Sequence, residues 1–72
     1  MLAFQIIARR VNEIGIPKSE LARRLGMSGE LLRRSLLGQR KITADEFIRL
    51  CFELRLDLSD FAECDVDREK EK

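Results

Sequence analysis

The chain has 72 residues, with 14 Lys and Arg against 13 Asp and Glu and no histidine. That length holds one domain with a small core, and the lack of histidine removes the usual Cys/His zinc spacings. The net charge of +1 hides a polarity: residues 1–56 are basic, at a net of +5, and residues 57–72 acidic, at a net of −4.

In chain order, the first segment, Leu2 to Ile14, places Ile7, Val11 and Ile14 at i, i+4, i+7 with Arg9, Arg10 and Glu13 between them, the pattern of an amphipathic helix. Its opening MLAFQIIARR runs from apolar to basic, the reverse of a secretory signal. Gly15 stops the helix and Ile16-Pro17 makes a tight connection, because proline cannot continue one helix but has a φ suited to opening the next. A second helix, Lys18 to Leu25, buries Leu21, Ala22 and Leu25, and Glu20 suits the positive end of its dipole. Only Gly26, Met27 and Ser28 separate it from a third helix, which Ser28 caps and which runs to about Leu37, with Gly38 as its left-handed C′ residue. Thr43-Ala44-Asp45-Glu46 is a capping box with Ile42 and Phe47 as its hydrophobic staple, opening a fourth helix whose apolar set is Phe47, Leu50, Cys51 and Leu54. Asp57 caps a shorter fifth helix carrying Leu58, Phe61 and Ala62, and residues 64–72 read as a charged, disordered tail after a domain of residues 1–63. No strand pattern, repeat or membrane span emerges.

On a helix of ~100° per residue, Leu32 and Leu36 of the third helix face inward, while Glu30, Arg33, Arg34 and Leu37 share the outer stripe. Two short helices joined by a three-residue turn are the layout of a helix-turn-helix, whose second member enters the DNA major groove. The stretch SELARRLGMSGELLRRSLLGQRKIT resembles the lambda-repressor/Cro-like (XRE) family, and the likeness runs from about Ile7 to Phe61. It rests on Glu20-Leu21-Ala22, Gly26, Ser28, Leu32, Gly38 and the closing LDLSDF. The resemblance implies an all-α, five-helix, lambda-repressor-like domain that binds double-stranded DNA as a homodimer on an inverted repeat and serves as a transcriptional repressor.

Residue by residue, the resemblance implies base contacts from Gly29, Glu30, Arg33 and Arg34, phosphate contacts from Lys18, Ser28, Gln39, Arg40 and Lys41, and a dimer interface at Leu58, Phe61 and Ala62. Arginine suits guanine O6 and N7, glutamate can accept from the cytosine amino group, and glycine allows close approach. Two departures stand out. An ion pair that many relatives bury between the first and third helices is replaced by Val11 and Leu36, and such an exchange avoids desolvating charge. Ser35 stands where the family carries an apolar residue, and Leu31 where it carries a polar one.

The remaining features have plainer readings. Arg9, Arg10, Arg23 and Arg24 are expected to be solvated, and Met27, Leu31 and Leu37 to pack into the core. Cys51 and Cys64 are expected to be free thiols filling core or interface space in a reducing cytosol. With no nucleophile beside a base, no phosphate loop and no metal cluster, neither an enzyme nor a cofactor or metal is expected. The alternative function is a protein-interaction module on the same scaffold, of antitoxin or antirepressor type, with a protein partner in place of DNA.

Overall fold

Four α-helices and one 3-10 turn make up the described part of the chain, residues 1–62 and 64 of a computed structural model. They are α1 (Ala3–Ile14), α2 (Lys18–Leu25), α3 (Gly29–Leu36) and α4 (Ala44–Leu54), followed by the turn Leu58–Phe61. The protein is all-helical, with no strand among the described residues. The expected fifth helix is a single turn: Asp57 caps it, accepting from the Ser59 N–H, but it ends after four residues. The sequence-expected tail, residues 64–72, falls outside the described residues except for Cys64, which is buried.

Each helix boundary has a local cause. Ser28 Oγ accepts from the Leu31 N–H at 3.1 Å, which satisfies one of the donors that the first turn of α3 leaves open. Thr43 and Glu46 form the reciprocal capping box at the start of α4, through bonds of 3.2 and 3.1 Å. Gly26 ends α2 at φ +71°, a left-handed conformation that turns the chain within three residues toward α3. Arg55 takes the same conformation after α4, at φ 57°, without being glycine. Its carbonyl and that of Leu54 accept from the Arg10 guanidinium at 3.2 and 3.0 Å, so a side chain of α1 closes the end of α4. Arg10 is therefore a capping residue, not the solvated one expected from sequence.

The core is one cluster to which every helix contributes: Ile7 and Val11 from α1, Leu21 and Ala22 from α2, Leu32 and Leu36 from α3, Leu50 and Leu54 from α4, and Leu56. Val11 and Leu36 both lie inside it. Ile42 and Phe47 pack against it as the staple requires, and Phe61 joins them with its ring centroid 5.1 Å from that of Phe47. Ser35 occupies a core-facing slot at 1% exposure with its hydroxyl bonded both ways: it donates to the Leu31 carbonyl at 2.9 Å and accepts from Arg40 Nη1 at 2.7 Å. No helix among the described residues is long and apolar enough to cross a membrane.

Candidate functional site

The orientation of α3 follows from three buried positions. Leu32, Ser35 and Leu36 point into the core, so the intervening residues are turned to solvent, and Gly29, Glu30, Arg33 and Arg34 are all exposed. The short turn fixes this helix against α2: the Met27 N–H reaches back to the Ala22 carbonyl at 3.0 Å, and the Leu32 N–H to the Ser28 carbonyl at 3.1 Å. At Gly29 the space where a Cβ would stand is open, with nothing within 4 Å. The first turn of α3 therefore presents bare backbone, its open N–H groups and the positive end of the helix dipole.

Glu30 organises the charges on this face. Its carboxylate accepts from Arg33 Nε at 3.2 Å and Nη2 at 2.7 Å, and from Arg34 Nε at 3.2 Å. The Arg33 guanidinium, and after it the Arg34 guanidinium, hold the Glu30 carboxyl below the usual carboxylate range, and Glu30 in turn raises Arg33. The side chains of Arg33 and Arg34 remain 51% and 54% exposed, so the pairing lies on the surface, where water screens it. Two forked cations are thus laid along one face, each retaining donors that Glu30 does not use. Glu20 repeats the arrangement on α2, holding Arg23 and also Arg24, the latter at 3.0 Å. Arg24 additionally reaches Glu53 of α4 at 3.4 Å, so it braces two helices and is not simply solvated.

The residues expected to meet phosphates divide into two groups. Lys18, Ser28, Gln39 and Lys41 are exposed. The Ser28 hydroxyl accepts from the backbone but keeps its own hydrogen to donate. Arg40 differs: its guanidinium donates to Ser35 Oγ and to both oxygens of Glu46, at 3.1 and 3.4 Å. The Arg40 guanidinium, and after it the Thr43 N–H, lower the Glu46 carboxyl. Arg40 ties the end of α3 to the start of α4 and so positions its neighbours, while the Gln39 N–H fastens the same loop to the Arg34 carbonyl at 2.9 Å.

Four groups of residues stand differently from the sequence reading. Leu31 on α3 and Leu37 at its C-cap, whose plainer reading is core packing, are exposed beside the arginines, Leu37 where the outer stripe puts it, whereas Met27 does pack against the core. Phe4 was not singled out, yet its ring sits where a Cβ on Gly38 would be, with Cζ 2.5 Å from that position. Gly38 is left-handed as expected, at φ +77°, and its missing side chain also lets the α1 ring dock on the loop. Of the three residues expected at a dimer interface, Leu58 and Ala62 are exposed but Phe61 is partly covered by the core. Ile48 and Phe52 of α4, which drew no notice in the sequence, are among the most exposed large apolar side chains. The signal for them was an apolar arc of α4 wider than one buried face needs, with only Asp45, Glu46, Arg49 and Glu53 polar.

Cys51 and Cys64 are free thiols. Burial, then Asp60 and Asp57, push the Cys51 thiol up, away from the thiolate that nucleophilic or ligand chemistry needs. The described residues contain no group of His, Cys, Asp and Glu able to hold a metal ion. No family model matches the chain, and comparison with curated proteins and with solved structures likewise gives no match.

Proposed function

We propose that this protein is a sequence-specific binder of double-stranded DNA with a lambda-repressor-like fold, in which α2 and α3 are the helix-turn-helix and α3 lies in the major groove. The observation that carries the reading is the face of α3 itself. A helix anchored by Leu32, Ser35 and Leu36, preceded by a three-residue turn, turns a bare Gly29, Glu30 and the two forked cations Arg33 and Arg34 outward together.

On docking, Arg34 exchanges its bond to Glu30 for guanine O6 and N7, and Arg33 does the same with a base or an adjoining phosphate. The exchange is cheap because the ion pairs lie on the surface. Glu30, once released, can accept from a cytosine amino group while disfavouring phosphate contacts out of register. Lys18, the Ser28 hydroxyl, Gln39 and Lys41 hold the backbone on either side, and Arg40 stays on Glu46 to fix the loop that carries two of them. Two copies on an inverted repeat, with half-sites about 34 Å apart, would act as a repressor by occupying an operator, in the cytoplasm at the nucleoid.

A fluorescence-anisotropy titration against duplex DNA at several salt concentrations tests this. Binding that weakens steeply with salt, and weakens for all sequences alike in Lys41→Ala, is the expected result. Absence of binding even at low salt would remove the proposal in favour of a protein-interaction module of antitoxin or antirepressor type, whose contact surface would include the exposed Leu31 and Leu37.

A further inference from the structure

The apolar side chains of α4 are divided between two faces. Leu50 and Leu54 are buried, and Phe47 and Cys51 are packed against the core. Ile48 and Phe52, one helical turn apart on the other side, are 64% and 82% exposed, and Leu58, just after the helix, is 80% exposed. The apolar arc of this helix is wider than the monomer covers: Asp45, Glu46, Arg49 and Glu53 fill one side, while Ile48 and Phe52, between that side and the buried face, stand in water. The chain has four phenylalanines and no Trp or Tyr, and one of those rings stands almost entirely in water.

We infer that a second copy of this chain covers this face, with Ile48 and Phe52 at its centre and Leu58 beside them. The inference rests on the reading of the protein as a two-fold DNA binder and gives that dimer its surface. It also moves the surface from the Leu58, Phe61 and Ala62 set implied by resemblance, because Phe61 is spent against Phe47 and the core.

Charge and area favour a second copy over other occupants. Exposed residues of α4 and the segment after it carry both signs, with Arg49 and Arg55 against Asp45, Asp57 and Asp60. Phe52 and Arg55 share one depression with the Arg24–Glu53 pair. A two-fold axis makes every contact twice, so cations of one copy can meet carboxylates of the other around an apolar centre. A polyanion would instead meet three carboxylates and an apolar ring. Residues 65–72 would be a poor cover, since they hold one apolar side chain, Val66. From their exposures the three apolar residues offer about 400 Å², near half of the ~800 Å² each partner contributes to a standard interface, and the mixed-charge rim supplies the rest.

Sedimentation equilibrium of the full chain without DNA tests the inference. The expected result is a concentration-dependent monomer–dimer equilibrium whose dissociation constant rises at least tenfold in Phe52→Glu and in Ile48→Glu, while Ile14→Glu, an exposed apolar residue on α1, leaves it unchanged. Circular dichroism melts establish that each variant folds. A wild-type chain that is monomeric into the millimolar range overturns the inference, as does a dimer indifferent to both α4 substitutions or one equally disrupted by Ile14→Glu. Titration of the same variants with a single half-site duplex keeps the two readings apart. Dimerisation that fails while half-site binding persists removes only this inference, and half-site binding that fails in every variant while the dimer stands removes only the DNA reading.

Discussion

Gly38→Ala would test the joint that fixes the loop beyond α3. The left-handed φ of +77° costs an alanine about 1–2 kcal/mol. The new Cβ would also stand 2.5 Å from Phe4 Cζ and 2.6 Å from Cε2, so the ring must leave. Phe4 borders an open cleft of about 880 Å³ between the start of α1 and the Gly38–Ile42 loop, which gives the ring somewhere to go. The displacement then costs near the lower limit for an overpacked site, about 1 kcal/mol. A total of about 2–3 kcal/mol should lower Tm by roughly 10–20 °C in a domain of this size. Urea and thermal melts followed at the helical circular dichroism band measure it. Phe4→Leu removes the ring edge, so Gly38→Ala in that background should cost only the backbone strain, leaving a coupling of about 1 kcal/mol. An alanine tolerated without loss would refute the left-handed joint, and an equal loss in both backgrounds would refute the contact with Phe4.

Ser35→Ala, at a buried site where the hydroxyl joins the Leu31 carbonyl to Arg40, should cost about 1–2 kcal/mol in urea unfolding. Glu46 has its carboxyl lowered chiefly by Arg40, so the stability it contributes is present above the ordinary glutamate pKa and is lost as pH falls through the lowered folded value. Glu46→Gln should flatten the decline of Tm below about pH 4 and leave the neutral-to-alkaline profile parallel to wild type. Gly29→Ala meets no protein atom within 4 Å, so the fold should be at least as stable, whereas DNA affinity should drop about tenfold if the bare backbone lies against a base pair.

The parts of the fold legible in the sequence are those governed by local rules. Ser28 and Thr43 cap where their spacing to Leu31 and Glu46 says they should, and the inward placement of Leu32 and Leu36 follows from helical period. Arg10 was not legible because its partners come from tertiary approach, carbonyls 44 and 45 residues away, and Arg40 was not because its partners, Ser35 and Glu46, lie five and six residues away on two different helices, outside any single-helix spacing. Ser35 looked like a misfit in an apolar slot, and only the arrival of Arg40 explains it. The outer stripe of α4 escaped notice because Phe47, Leu50, Cys51 and Leu54 already complete an inward face, leaving Ile48 and Phe52 without a reason inside one chain. The candidate site was legible as residue types on a face, but not as a network in which Glu30 restrains both arginines.

The central claim is that α3 reads DNA through Arg34 and its neighbours, and selection of bound duplexes from a random pool measures it most directly. Wild-type protein should enrich an inverted repeat with half-sites about one helical turn apart. Arg34→Ala should lose roughly ten- to a hundredfold in affinity for that sequence and relax the preference at one symmetric pair of positions. A pool that enriches no sequence, or an Arg34→Ala protein that recovers the same sequence with the same affinity, would contradict the account.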